Sequence, residues 1–163
     1  FDEKHLNREM LELGLTPPST YQTVDLFTTI KSKFRFASNK LEWVARRLEI
    51  REGKLKTDFD LWRRVMQGEK AARKEMETYA IEDTALTAEL YTELLPWIPR
   101  HPNAALFADD GVDRCTRCEG SNIIKYGTAY TMAGTFQRYR CKDCGSQMRG
   151  SRRLGTTALR PLG

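Results

Sequence analysis

Apolar positions in the first hundred residues recur mostly at helical spacing. Leu6, Met10, Leu11 and Leu13 mark a helix over residues 3–13, ended by Gly14 and the Pro17-Pro18 pair. Tyr21 to Phe27 reads as one short buried strand, because apolar and β-branched residues crowd together there. Leu26 to Phe34 can then turn helical, with Asp25 as its cap. Ser38 predicts the N-cap of a helix over residues 39–48, in which Leu41, Val44, Ala45 and Leu48 share a face. Further helices are expected over residues 59–67, around Leu61, Trp62, Val65 and Met66, and over residues 70–95, closed by Pro96. Trp43 and Trp62 are read as packing residues. Lys31, Lys33, Arg35, Arg46, Arg47 and Arg51 are expected to face water, as are His5 and His101.

Beyond residue 96 the pattern changes. Pro99, Pro102 and Gly111 punctuate a linker over residues 97–113. Thr135 to Arg140 alternates as a strand, which puts Phe136, Arg138 and Arg140 on one face and Gln137 and Tyr139 on the other. After Gly150 the chain turns to Gly, Thr, Arg and Pro, the composition of a disordered basic tail. The expected organisation is thus a body over residues 1–96, a linker over 97–113, a small module over 114–149 and a tail over 150–163.

The module carries all four cysteines of the chain, as two Cys-x-x-Cys pairs, Cys115/Cys118 and Cys141/Cys144, with 22 residues between them. A two-residue gap lets one tight turn aim both sulfurs at a single ion, and four such thiolates suit tetrahedral Zn²⁺ at about 2.3 Å. With every position closed by sulfur, the zinc is read as structural, and Gly120 and Gly145 as the turn residues with permissive φ angles. Two disulfides or an iron–sulfur centre are the other chemistries the spacing admits.

Charge divides the chain at the same place. Residues 114–163 hold ten Lys/Arg against two acids, net +8, and residues 1–113 hold 17 against 20, net −3. A small, strongly basic module points to polyanions, most simply nucleic acid, since neutralising phosphates releases counterions. Phe136, Arg138 and Arg140 are the candidate contacts, extended by Arg149, Arg152 and Arg153. Phe136 has the plainer alternative of covering a small core. No run of about 18 apolar residues exists, so a membrane is not the expected partner.

Several short motifs stand in a telling order. Phe1-Asp2 opens the first helix, Thr23-Val24-Asp25 follows, Ser38-Asn39-Lys40-Leu41 precedes Val44-Ala45, and Tyr79-x-x-x-Asp83 puts two side chains on one face of the long helix. In this order the chain resembles the ribonuclease H-like 3′–5′ exonucleases of the DEDD superfamily. The match is to their tyrosine-bearing branch, which includes proofreading domains of family-B DNA polymerases and stand-alone bacterial and phage enzymes. The stretch from Trp97 to Asn103, running into a zinc ribbon, looks like a phage-type subset, so the resemblance extends to about residue 149.

That resemblance implies an α/β fold: a truncated ribonuclease H-like domain, mostly its helical C-terminal half, plus a small β zinc ribbon. It implies a two-metal hydrolysis of phosphodiesters in which Asp2 and Asp83 hold Mg²⁺ or Mn²⁺ and Tyr79 orients the attacking water. The implied substrate is a single-stranded DNA or RNA 3′ end, in the cytoplasm of a bacterial or phage-infected cell. The family's first motif, Asp-x-Glu on the first strand, is expected upstream of Phe1. The missing N-terminal half of the same domain is thus an expected partner, and the chain alone is expected to be inactive or weak. Two other readings compete: a non-catalytic zinc-ribbon protein that binds nucleic acid, and a ribbon that docks proteins.

Overall fold

The computed structural model describes residues 2–50, 58–157 and 159, apart from the side chain of Asp2. It is a mixed helical and β structure. Among the described residues five α-helices come first: α1 (Asp2–Glu12), α2 (Leu26–Lys33), α3 (Leu41–Arg47), α4 (Phe59–Met66) and α5 (Lys70–Leu94). Two 3-10 turns, Leu95–Trp97 and Ala104–Phe107, lead to three strands, β1 (Ile123–Thr131), β2 (Gly134–Cys141) and β3 (Gln147–Gly155).

Capping explains where the short helices start. Asp25 accepts from the Thr28 amide at 2.9 Å and from the Thr28 hydroxyl at 2.8 Å, and so satisfies a free donor of α2. Asp58 does the same for α4 through the Leu61 amide at 2.9 Å. No strand forms over residues 21–25; the chain has no regular secondary structure there and α2 begins directly after its cap. A strand needs a partner, and among the described residues the sheet pairs only β1, β2 and β3. Ser38 is not the cap of α3 either. Lys40 holds that position, and Ser38 Oγ instead accepts from the Lys40 amide at 3.2 Å.

The helical core joins α2, α3 and α5 through Ile30, Val44, Leu90 and Leu94, with Phe34, Phe36, Leu41 and Trp43 packed around them. Trp43 meets the Phe36 ring at 5.7 Å, whereas Trp62 stays more than half exposed. Only Leu61 of the expected α4 core is buried. What ties α4 to α5 at the surface is Arg64, which grips Glu69 through two bonds of 2.9 and 2.8 Å. Lys31, Lys33, Arg35, Arg46 and Arg47 are exposed, with Arg46 paired to Glu42 at 2.8 Å, and Arg51 lies outside the described residues.

The sheet is an antiparallel meander, β1-β2-β3. The β1–β2 register runs from Ile123 opposite Cys141 to Thr131 opposite Gly134, leaving Met132-Ala133 as a two-residue turn. Residues 150–155, expected in a disordered tail, form the second half of β3, because the β2 backbone offers them a hydrogen-bonding edge. The stretch over 97–113 also folds back on both neighbours. His101, expected in solvent, sits half-buried with its Nε2 atom 2.6 Å from the Tyr91 hydroxyl and its Nδ1 atom 2.6 Å from the Pro102 oxygen. The Ala104 amide donates to the Thr116 oxygen at 2.9 Å. No helix among the described residues is long and apolar enough to cross a membrane.

Candidate functional site

Two tight turns assemble the cysteines. In the first, the Glu119 amide donates to the Cys115 oxygen at 3.0 Å and the Cys115 amide to the Gly120 oxygen at 2.8 Å. In the second, the Gly145 amide donates to the Cys141 oxygen at 3.1 Å and the Cys141 amide to the Ser146 oxygen at 2.9 Å. Gly145 has φ 77°, as the sequence suggested. Gly120 does not; the left-handed residue of the first turn is Glu119, φ 61°. Gly120 is needed for space. A Cβ there would overlap the Asp143 carboxylate and approach Cys118 Sγ to 3.3 Å.

The four sulfurs lie within 4.8 Å of one another, and no disulfide joins them. Cys115 Sγ stands 3.6 Å from Cys144 Sγ, and Cys118 Sγ 3.6 Å from Cys141 Sγ. A tetrahedron with metal–sulfur bonds of about 2.3 Å has edges of about 3.8 Å, so the cluster has the size that a zinc ion requires. Cys115 and Cys141 are buried. Backbone amides of Arg117 and Cys118 point at the Cys115 sulfur, and that of Gly120 at Cys118, a polarity suited to thiolates.

The protonation of the metal-free thiols follows from their surroundings. Burial pushes the Cys115 and Cys118 thiols up. Burial opposes Cys144 too, but there the Ser146 hydroxyl, 3.1 Å away, and the Ser146 amide prevail and bring it to about 7. Ser146 is itself fully buried, so its hydroxyl is committed to this sulfur. Zinc held by Cys115, Cys118, Cys141 and Cys144 would lock the two turns together and stand in for the core that so small a sheet lacks.

Arg138, Arg140, Arg149 and Arg153 share one face of the sheet by register. Arg138 lies over the Tyr126 ring at 5.1 Å and donates through Nε to the Tyr126 oxygen at 2.8 Å. Arg140 lies over the same ring at 5.5 Å, and Arg149 over the Phe136 ring at 4.2 Å. Arg152 and Arg153 are exposed on β3, Arg153 opposite Phe136 in the register. Phe136 itself is 7% exposed. Buried and with Arg149 over its ring, Phe136 sits where its plainer reading, covering a small core, puts it. Tyr126, which the sequence reading passed over, is the platform that holds Arg138 and Arg140. Its signal was alternation along β1, broken by a bulge between Lys125 and Thr128. Arg114 is withdrawn from the basic surface by its ion pair with Asp110 and its bond to the Glu119 oxygen.

The body holds the remaining candidates. Tyr79 and Asp83 lie one turn apart on α5, both half-buried. Asp83 lines an open concavity of about 480 Å³ with Val24, Leu26, Leu41, Thr87 and Tyr91. Asp2 is the first residue of α1, and its side chain lies outside the described residues. Among the described residues, no group of three or more ligating side chains other than the four cysteines comes together, so a cage for Mg²⁺ or Mn²⁺ around Asp83 is not assembled by them. Comparison with protein-family models, with curated proteins and with solved structures returned no match.

Proposed function

We propose that the chain is part of a metal-dependent 3′–5′ exonuclease of ribonuclease H-like type, whose zinc ribbon grips the nucleic acid. The observation that carries this reading is the arginine face of the ribbon. Arg138, Arg140 and Arg149 lie over aromatic rings, at 5.1, 5.5 and 4.2 Å from the ring centres, a contact that favours keeping their charges together on this surface. A guanidinium row in a segment of net +8 suits a phosphate backbone. Asp83, which lines the 480 Å³ concavity, and Tyr79, one turn away on α5, support the nuclease half of the proposal, in the manner the motif order implies. In that role Asp83 and Asp2 would bind Mg²⁺ or Mn²⁺ together with carboxylates of an Asp-x-Glu motif, and Tyr79 would hold a water through its hydroxyl. The divalent ions would neutralise the leaving oxyanion.

A nuclease assay tests this, using 5′-labelled single-stranded DNA and RNA with Mg²⁺ or Mn²⁺. It compares this chain and the chain continued upstream through an Asp-x-Glu motif with the Asp83→Asn form of each. Shortening from the 3′ end that needs metal and disappears with Asp83→Asn is the expected result. Binding without cleavage by the continued chain would favour the second reading, a non-catalytic zinc-ribbon protein. That reading draws on one observation, that the described ligating groups cluster only at the cysteines.

A further inference from the structure

The opposite face of the ribbon sheet is built differently. The register puts Lys125, Tyr139 and Met148 side by side across the three strands. Alternation adds Ile123 and Gly150 to the same side. Here Ile123, Tyr139, Met148 and Gly150 line a pocket of about 320 Å³ together with Asp113 and Arg152, with Thr116 on one side. The Thr116 amide lies 3.4 Å from Met148 Sδ and fixes that wall. Gly150 packs beside the half-buried Tyr139 ring without crowding it: a Cβ there would sit 3.4 Å from Tyr139 Cε2.

The bulge after Lys125 shifts the pairing by one residue and returns Tyr130, opposite Thr135, to this same face. Tyr130 is 80% exposed. It stands beside a rigid turn in which Thr131 Oγ1 donates to the Gly134 oxygen at 2.9 Å and accepts from the Ala133 amide at 3.2 Å. Thr135 and Tyr139 are four positions apart on β2, so the two tyrosines are spaced by about 13 Å along the sheet. Among the described residues no guanidinium lies over either ring, unlike Tyr126 and Phe136 on the arginine face.

We infer that this second face holds the bases of single-stranded nucleic acid, one base entering the pocket against Tyr139 and another stacking on Tyr130, with Lys125 and Arg152 beside the phosphates between them. An exposed ring and a pocket-lining ring flanked by cations make a stacking platform, and stacking tolerates any sequence because every base has a π face. The occupant is argued from charge: the net +8 of residues 114–163 favours a polyanion over an apolar peptide. The inference rests on the nucleic-acid reading given above and deepens it from phosphates to bases.

The test measures binding of the zinc-loaded chain to labelled oligo(dT), oligo(U) and a blunt duplex over a series of salt concentrations. The parent is compared with Tyr130→Ala, Tyr139→Leu and the double variant Arg138→Gln/Arg140→Gln. The Co²⁺ spectrum of each variant reports an intact four-sulfur site, and the exposure of Tyr130 keeps its variant folded whatever becomes of Tyr139→Leu. Each tyrosine variant is expected to weaken single-strand binding about 5-fold or more, with an unchanged salt slope and little change on duplex. The arginine variant is expected to flatten the slope. Tyrosine variants that bind single strands as the parent does, while the arginine variant weakens them, would overturn the base-binding face and leave the nucleic-acid reading standing. A parent that binds none of the three probes would overturn both.

Discussion

Arg117, between the two cysteines of the first turn, donates through its guanidinium to the main-chain oxygen of Leu95 at the end of α5. This contact reaches from the ribbon to the last turn of the longest helix, where carbonyls lack helical partners and a cation complements the dipole. Burial lowers the Arg117 pKa, while nearby Cys144 and Cys115 act to raise it. The guanidinium therefore lies between a helix terminus and a cluster of sulfurs that carries negative charge once metal is bound. Pro96 adds a van der Waals wall, 4.0 Å from where a Cβ of Gly145 would be.

Arg117→Met should keep the aliphatic packing and remove the charge. The expected cost is about 1.5–3 kcal/mol, the range for a hydrogen bond from a charged group. Urea unfolding of the zinc-loaded chain checks the size. Hydrogen exchange at the Leu95–Trp97 turn should rise in the same variant, which would separate lost docking from general destabilisation.

Removing metal should unfold residues 114–155 while leaving the helical core, since Ile30, Val44, Leu90 and Leu94 do not depend on the cysteines. Limited proteolysis with and without a chelator measures this, and Co²⁺ substitution should give the spectrum of a four-sulfur tetrahedral site. Uptake of zinc at pH 7 should release the Cys115 and Cys118 protons, whose thiols are held up by burial, and less from Cys144, whose thiol Ser146 brings down. Metal affinity then falls as pH falls, because protons compete for the same sulfurs. Calorimetry in two buffers of different ionisation enthalpy counts the protons.

The two turn glycines should fail for different reasons. Gly145→Ala places a Cβ at φ 77° and should cost about 1–2 kcal/mol through backbone strain. Gly120→Ala meets the Asp143 carboxylate and Cys118 Sγ instead, and should weaken metal binding directly. Competition titration against a chromophoric chelator would show the larger loss of affinity for Gly120→Ala. Asp143→Ala should restore part of that loss, and Gly145→Ala should be indifferent to it.

Asp25→Ala should destabilise α2 by about 0.5–2 kcal/mol, the usual effect of losing an N-cap. The Thr28 amide and hydroxyl hold the Asp25 carboxyl below its ordinary value, so the folded pKa is the depressed one. Its contribution is complete above the unfolded pKa of about 3.9 and is lost as pH falls through the folded value. Thermal melts of parent and variant should accordingly differ at pH 6 and converge toward pH 2.

Sequence alone determined the local events. Cys-x-x-Cys spacing contains its own turn, Asp25 and Asp58 lie within three residues of the amides they cap, and the run over residues 70–94, free of Gly and Pro and closed by Pro96, marks α5. Ser38 shows the limit of such reading, because its hydroxyl found the Lys40 amide two residues on and the helix began later.

Only the tertiary structure decided what depends on partners distant in sequence. Phe136 is buried with Arg149, 13 residues away, over its ring. Residues 150–155 became a strand because β2 offered an edge, and Tyr21 to Asp25 did not because no strand pairs with it among the described residues. Tyr130 joined the face of Tyr139 through a bulge that shifts the pairing by one residue, which strict alternation does not encode. Side-chain chemistry is written along the chain, but which face it serves is set by pairing, and pairing is a property of the folded sheet.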